Sequence, residues 1–319
     1  MYRRDMKRGF SITKNSTLWL GLGVVLVAVS WWLFFSNVKL SIEFTGGVQV
    51  HTTNEIEQSA VEGALTTMAT DNSWKLEDVS TSVSENGTDL LLKMQLDDSQ
   101  VAAALDAVKE TLVTSQAIAD EGQIDSLTFI GPSIGDYIKK SAVWALGIGI
   151  VLMAVYMMLS FGDARKVIPP YTLASITIIT MIFDASIPAG MYGIWMAIDP
   201  TIQVNSIFII AILTTIGYSI NDTIIILDRI KENAMADEKS IVSGKHQVAD
   251  LIDASIWQTM RRSLGTSFST LVVVIAMFVI GDGVIKQFAY VIGWGIIAGT
   301  FSSIFISATS LHVLTRKHK

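Results

Sequence analysis

Cysteine is absent from the 319 residues, which excludes disulfides, thiolate metal sites and thiol nucleophiles without identifying a compartment. Charge is scarce too: Asp, Glu, Lys and Arg make up 16% of the chain, against about 25% in ordinary soluble domains. The four histidines, His51, His246, His312 and His318, show no ligand spacing, so no metal site and no cofactor is expected. Apolar length takes the place of all these. Half of the residues are hydrophobic and the mean hydropathy is +0.48, a composition that belongs in a bilayer.

A helix crosses about 30 Å of hydrocarbon with 17–25 apolar residues. Runs of that length at 17–36, 141–161, 167–187, 201–227, 263–280 and 288–314 predict six spans. Pro188, Gly190, Gly193, Asp199 and Pro200 break an otherwise continuous apolar stretch, and the third span is expected to end before them. Basic residues stay cytoplasmic. Arg3, Arg4, Lys7, Arg8 and Lys14 therefore place the tail 1–16 inside, together with Arg165, Lys166, the loop 228–262 with an amphipathic helix, and the tail 315–319 with Arg316, Lys317 and Lys319. The first span is read as an uncleaved anchor, since Lys39 and not a small-residue cleavage site follows it.

Residues 37–140 then lie outside as a domain large enough to bury a core. They hold 17 Asp or Glu and six Lys or Arg, a solvated acidic surface, and no nucleic-acid partner is expected. Strands are predicted at 48–52, 74–83, 88–95 and 124–130. Glu85-Asn86-Gly87 reads as a hairpin turn. Helices are predicted at 55–69, capped by Asn54 with Ile56, Ala60, Ala64 and Met68 on one face, and at 99–115, with Val101, Leu105, Val108 and Leu112 on one face. The order β-α-β-β-α-β is the ferredoxin-like pattern. The expected fold is thus a membrane all-α bundle of six helices with an inserted α+β ferredoxin-like extracytoplasmic domain. That domain shows no Ser, His and Asp arrangement and no Gly-rich phosphate loop, so no catalytic residue is expected there.

Most Ser, Thr and Gly in the spans serve close helix packing, and Gly295, Gly299, Ser303 and Ser307 recur every four residues as such a seam. Ionisable residues are different. An Asp at the membrane centre costs roughly 2.5–3.5 kcal/mol on insertion scales, so it faces a cavity or a partner. Asp222 follows Thr215, Tyr218 and Ser219 on one polar stripe. A proton or ion site outranks a merely hydrogen-bonded buried carboxyl for it, because burial favours the neutral form of an acid. Asp184 lies towards the outer end of the third span. Arg262 opens the fifth with Thr266, Ser269 and Thr270 on the same face; snorkelling to the interface is its alternative, and more so for Arg261.

Several stretches together resemble the SecF family, the smaller subunits of the bacterial SecDF membrane complex and relatives of RND-type exporters. They are Glu43-Phe44-Thr45-Gly46-Gly47, Gly131-Pro132-Ser133, Gly217-Tyr218-Ser219-Ile220-Asn221-Asp222-Thr223, and Asp228-Arg229-Ile230-Lys231-Glu232-Asn233. The resemblance covers nearly the whole chain. It implies an RND-like half-bundle that works with SecD beside the SecYEG translocon, with YajC and YidC as further candidate partners. The implied task is drawing unfolded polypeptide across the membrane at a late stage with the proton-motive force. It also implies a proton pathway through Asp222 and Arg262, with Asn221, Asp184 and Tyr218 as further candidates.

Ser255 to Ser263 matches the family's Gln-Thr-x-x-Arg-Thr segment with Ser263 in place of Thr. Glu43 stands where the family usually has Asp, and Phe183 where it has His before Asp184. The hairpin around Trp195 and the loop 236–246 are longer than usual. Three rivals follow from the same residues: an intramembrane aspartyl protease using Asp184 and Asp222, an exporter of lipids or small molecules, and a purely structural translocon scaffold, which should tolerate neutralising Asp222. The first lacks a Gly-x-Gly-Asp segment within a span, and the second should show large domains in both halves.

Overall fold

The computed structural model describes residues 11–53, 56–84, 87–96, 99–160, 169–199, 201–236 and 248–316. In chain order these form α1 (Ser16–Asn37), the single turn α2 (Ile42–Thr45), β1 (Gly47–Thr52), α3 (Gln58–Asp71), β2 (Lys75–Ser84), β3 (Gly87–Gln95), α4 (Val101–Thr114) and β4 (Ile124–Ile130). There follow α5 (Pro132–Ser160), α6 (Pro170–Ile198), α7 (Ser206–Ala236), α8 (Val248–Ile280), α9 (Gly283–Phe301), a π-helical turn (Ser302–Ile306) and α10 (Ser307–Arg316). Asn54, Glu85, Asn86, and the basic residues Arg3, Arg4, Lys7, Arg8, Arg165, Lys166, Lys317 and Lys319 lie outside the described residues.

The chain divides into two compact units. One comprises Val38–Trp144 and Trp195–Ser206, the other Met1–Asn37, Ala145–Ile194 and Ile207–Lys319.

In the first of these the strands form one antiparallel sheet in the order β2-β3-β1-β4. β1 lies between β3 and β4, and its alternation sends Val48 and Val50 to one face, opposite Leu92 and Leu90 of β3 and Phe129 and Leu127 of β4. Val61, Leu65 and Met68 of α3 and Ala104, Val108 and Leu112 of α4 close over that face. The buried edge of α3 is Val61, Leu65, Met68 and Ala69, with Ala64 half-buried beside it. The helix also starts at Gln58, later than its pattern suggests. Buried Ile56 donates its N–H to Thr88 Oγ1 at 3.0 Å, which holds the preceding chain against β3, so the N-cap position falls to Glu57 and not to Asn54.

The other unit is a helical bundle. Six helical stretches, Thr13–Asn37, Ser133–Ser160, Tyr171–Ile198, Ser206–Ala236, Val248–Ile280 and Gly283–Thr315, are long and apolar enough to cross a membrane. Residues 228–236 and 248–262 continue α7 and α8 without a break, so Arg262 sits within a 33-residue helix. α6 likewise runs on through Pro188 to Ile198. Its glycines serve close approach and not chain reversal: a Cβ on Gly190 would lie 2.5 Å from Ser30 Cα, and one on Gly193 2.8 Å from Phe34 Cα, both on α1. A bundle core of Met157, Leu173, Ile176, Ile226, Ile230 and Leu311 also takes in Ile12 from before α1.

Ile12 is fixed by a residue that sequence reasoning passed over. The carboxylate of Asp253, on α8, accepts from Ser11 Oγ (2.6 Å), Ile12 N (3.1 Å), Thr13 N (3.1 Å) and Thr13 Oγ1 (2.9 Å). It acts as an N-cap supplied from another helix, and residues 11–16 are a docked turn.

Candidate functional site

α7 presents Thr215, Ser219 and Thr223 every four residues along one buried face, and α9 and the turn after it answer with Gly295, Gly299 and Ser303 at the same spacing. The two rows mesh. A Cβ on Gly295 would fall 2.2 Å from Thr215 Cγ2, and one on Gly299 would fall 2.5 Å from Ser219 Oγ. One step on, Ser303 Oγ and Thr223 Oγ1 share a hydrogen bond of 2.8 Å. This is close helix approach through small residues, the arrangement that lets dispersion and short hydrogen bonds hold membrane helices together.

Two buried carboxyls lie beside the seam, each with its own hydroxyl donor. Asp184 of α6 is 2% exposed and accepts from Ser219 Oγ at 2.5 Å, with the Ser302 hydroxyl beside it. Asp222 of α7 is 3% exposed and accepts from Ser267 Oγ of α8 at 3.2 Å. Ser267 in turn accepts from Thr300 Oγ1 of α9 at 2.7 Å, so a file of hydroxyls crosses three helices to reach Asp222. Arg262 lies within electrostatic reach of the same carboxyl, with Ser263 and Thr266 close by. The π-helical turn supplies Ser302 and Ser303, and such local widening is frequent at functional sites.

The α7–α8 pair is laced along its length. Tyr218 OH donates to Thr270 Oγ1 at 3.0 Å. Further along, Arg229 Nε donates to Gln258 Oε1 at 2.5 Å and its guanidinium pairs with Glu232, while Asn233 Nδ2 donates to Ser255 Oγ and Gln258 Oε1 at 2.8 and 3.1 Å. The stretch Asp228 to Asn233 therefore meets the stretch Ser255 to Ser263. Asn221, Gly217 and Asp228 point away from the bundle. With Thr214, Arg262, Thr266 and Ser269 they are exposed on this chain, a polar surface on helices that are otherwise apolar.

A second cluster gathers the remaining sequence candidates. Ser41 O accepts from Phe44 N and Thr45 N, closing the turn α2 around Glu43, and Phe44 is buried. Gly46 and Gly47 follow with φ of 77° and 143°, and a Cβ on Gly47 would fall 2.3 Å from Leu92 O, so this tight path requires glycine. Gly131 O accepts from Ile134 N and Gly135 N as α5 begins, with Pro132 as its first residue, where a missing N–H costs nothing. Ser133 is exposed. Gly135 approaches so closely that a Cβ there would be 2.8 Å from Phe44 O. Among the described residues, no group of three or more His, Asp and Glu gathers to hold a metal ion.

Six apolar helices of spanning length, with two carboxyls buried among them, define a multi-pass membrane protein. The chain belongs to the SecD/SecF family of protein export membrane proteins: the family described as "Protein export membrane protein SecD/SecF, C-terminal" matches residues 109–317. The chain is 30% identical over 291 residues to the protein translocase subunit SecF of Sebaldella termitidis, covering 90% of this chain and 85% of that one. To SecF of Haemophilus influenzae it is 31% identical over 295 residues, covering 90% and 80%. The crystal structure of SecDF, a translocon-associated membrane protein, from Thermus thermophilus superposes with a TM-score of 0.74 at 26% identity, covering 98% of this chain and 39% of that one.

Ser267, Thr300 and Ser302 are the site residues that sequence reasoning missed. Ser267 lies five residues beyond Arg262 and so off the stripe of Thr266, Ser269 and Thr270. The i, i+4 pair Ser263 and Ser267, counted from the Arg-Ser end of the matched segment, is the signal that would have found it.

Proposed function

We propose that this chain is a SecF-type protein translocase subunit that pairs with a SecD-type partner. In this reading it uses the proton-motive force to promote late-stage export of unfolded polypeptide. The observation that carries it is Asp222, almost wholly buried in a membrane helix, held by one hydroxyl donor from α8 and influenced by Arg262. A carboxyl so placed is expensive unless its gain and loss of a proton does work. One proton moving through 100 mV supplies about 2.3 kcal/mol, enough to bias a two-state rearrangement but not to move a long chain in one step, so the cycle repeats. Loss of the Asp222 charge weakens its attraction to Arg262, and α7 and α8 shift against each other.

The exposed polar surface of Asn221, Arg262, Thr266 and Ser269 supports a partner in the membrane, since lipid cannot satisfy those groups. Transporters of this kind pair two related halves about a midplane site. The helix and strand order with sheet order β2-β3-β1-β4 supports a ferredoxin-like domain. We assign that domain to the outside, both termini to the cytoplasm, Asp184 and Tyr218 to the same proton pathway as Asp222, and SecYEG, YajC and YidC to the surrounding machinery. The protease reading finds little support: Asp184 and Asp222 accept from different hydroxyls, whereas a proteolytic pair shares a proton.

Gradient-dependent export by an Asp222→Asn chain tests the proposal. Export should fall to the level measured with the gradient collapsed, and Asp222→Glu should keep part of it. Full gradient-dependent export by Asp222→Asn would sink the reading.

A further inference from the structure

We infer that Glu43 is a positioning residue for the proton site, its carboxylate capping the helix that carries Asp222. The inference rests on the reading of Asp222 given above. α7 begins at Ser206, and the first N–H groups of a helix have no acceptor within it. Glu43 Oε2 accepts the Ser206 N–H at 2.6 Å. This is a charge-assisted bond at the end of a helix where the macrodipole also favours a negative group.

Neither partner of this bond is a loose side chain or a free loop end. Ser41 N donates to Val204 O at 3.0 Å and Val204 N to Lys39 O at 2.7 Å, so the backbone just before each partner is already paired. Glu43 itself stands on the turn α2, with Phe44 buried after it and Gly135 of α5 against the Phe44 carbonyl. From Gly47 the chain enters β1, one of the two inner strands of the sheet.

A displacement of that strand is therefore delivered, through one carboxylate and one pair of backbone bonds, to the first residue of α7. The helix runs without interruption from Ser206 to Ala236 and reaches Asp222 about four and a half turns later. An unbroken helix passes on an axial shift or a rotation. Glu43 is thus the link by which the state of Asp222 and the position of the sheet act on each other.

The test uses the full chain in the membrane, with hydrogen exchange across residues 204–210 and gradient-dependent export measured in parallel. Glu43→Ala should raise exchange there about fivefold, the protection a capping side chain provides. Gradient-dependent export should fall on the order of tenfold to a hundredfold, as when a functional group is misplaced by about 1 Å. The amount of chain in the membrane and gradient-independent export should not change. Ser206→Pro removes the donor at a position where helices accept proline; it should reproduce the export loss, and adding Glu43→Ala to it should cost nothing more. Glu43→Asp, which keeps the charge, should restore most of the export. Unchanged exchange in Glu43→Ala would overturn the cap, and raised exchange with intact export would overturn the coupling. Normal export by Asp222→Asn would instead remove the proton reading and the positioning role with it, while the exchange result still reports on the cap alone.

Discussion

A chain carrying both Asp222→Asn and Arg262→Leu is expected to lose no more gradient-dependent export than either single variant. Asp222 receives its hydrogen bond from Ser267, and Arg262 acts on it through space. If the working step is the change in attraction between these two charges, removing either charge removes the whole step. Independent contributions would multiply in the double variant, whereas members of one unit are strongly non-additive, with coupling of about 0.5–3 kcal/mol. Arg262→Lys, which keeps the charge but not the planar fork, should retain part of the activity. Export assays on the four chains, normalised to protein in the membrane, measure the coupling. A double variant whose loss is the product of the two single losses would separate Arg262 from the Asp222 step.

Gly295→Leu is expected to be the most damaging single change to the bundle. Even the first carbon of a side chain at that position would lie 2.2–2.8 Å from three atoms of Thr215, and both helices carry the rest of the seam one turn on. Overpacking a close interface costs about 1–3 kcal/mol for small additions, and an isobutyl group exceeds what a rotamer change can absorb. Gly295→Ala should be milder. Thr215→Ala should relieve part of it, because it removes the two nearest atoms while Cβ stays 2.8 Å away, and the Thr215 hydroxyl has no hydrogen-bond partner among the described residues, so its loss is cheap. Thermal unfolding in detergent would show a large drop for Gly295→Leu, a smaller one for Gly295→Ala, and partial recovery in the Gly295→Ala, Thr215→Ala chain.

The regular elements were legible in the sequence because their periodicities are local. Alternation marked β1 to β4, and apolar length marked six helices. Interruptions were harder to read. Pro188, Gly190 and Gly193 look like a chain break, yet the two glycines are there for the approach of α1, a demand set by residues more than a hundred positions away. The start of α3 departs from its local pattern for a similar reason, since the Ile56 to Thr88 bond overrides local capping preference.

At the site, Asp222, Arg262 and Tyr218 were recognisable from polar spacing and family words, and the structure gathers them on α7 and α8. Their partners were not. Ser267, Thr300 and Ser302 are ordinary small polar residues whose meaning comes from which turn of which helix they oppose. Asp253 and Glu43 are carboxylates of unremarkable spacing, each of which caps backbone far away in sequence. Caps within a helix leave a pattern, and caps supplied across the fold leave none.

Proton uptake into vesicles carrying this chain with a SecD-type partner and a translocon, under an imposed gradient and with a polypeptide in transit, tests the central claim most directly. The account predicts uptake that depends on the polypeptide in the unsubstituted chain and falls to the leak of empty vesicles in Asp222→Asn. Equal uptake by the two chains would contradict it.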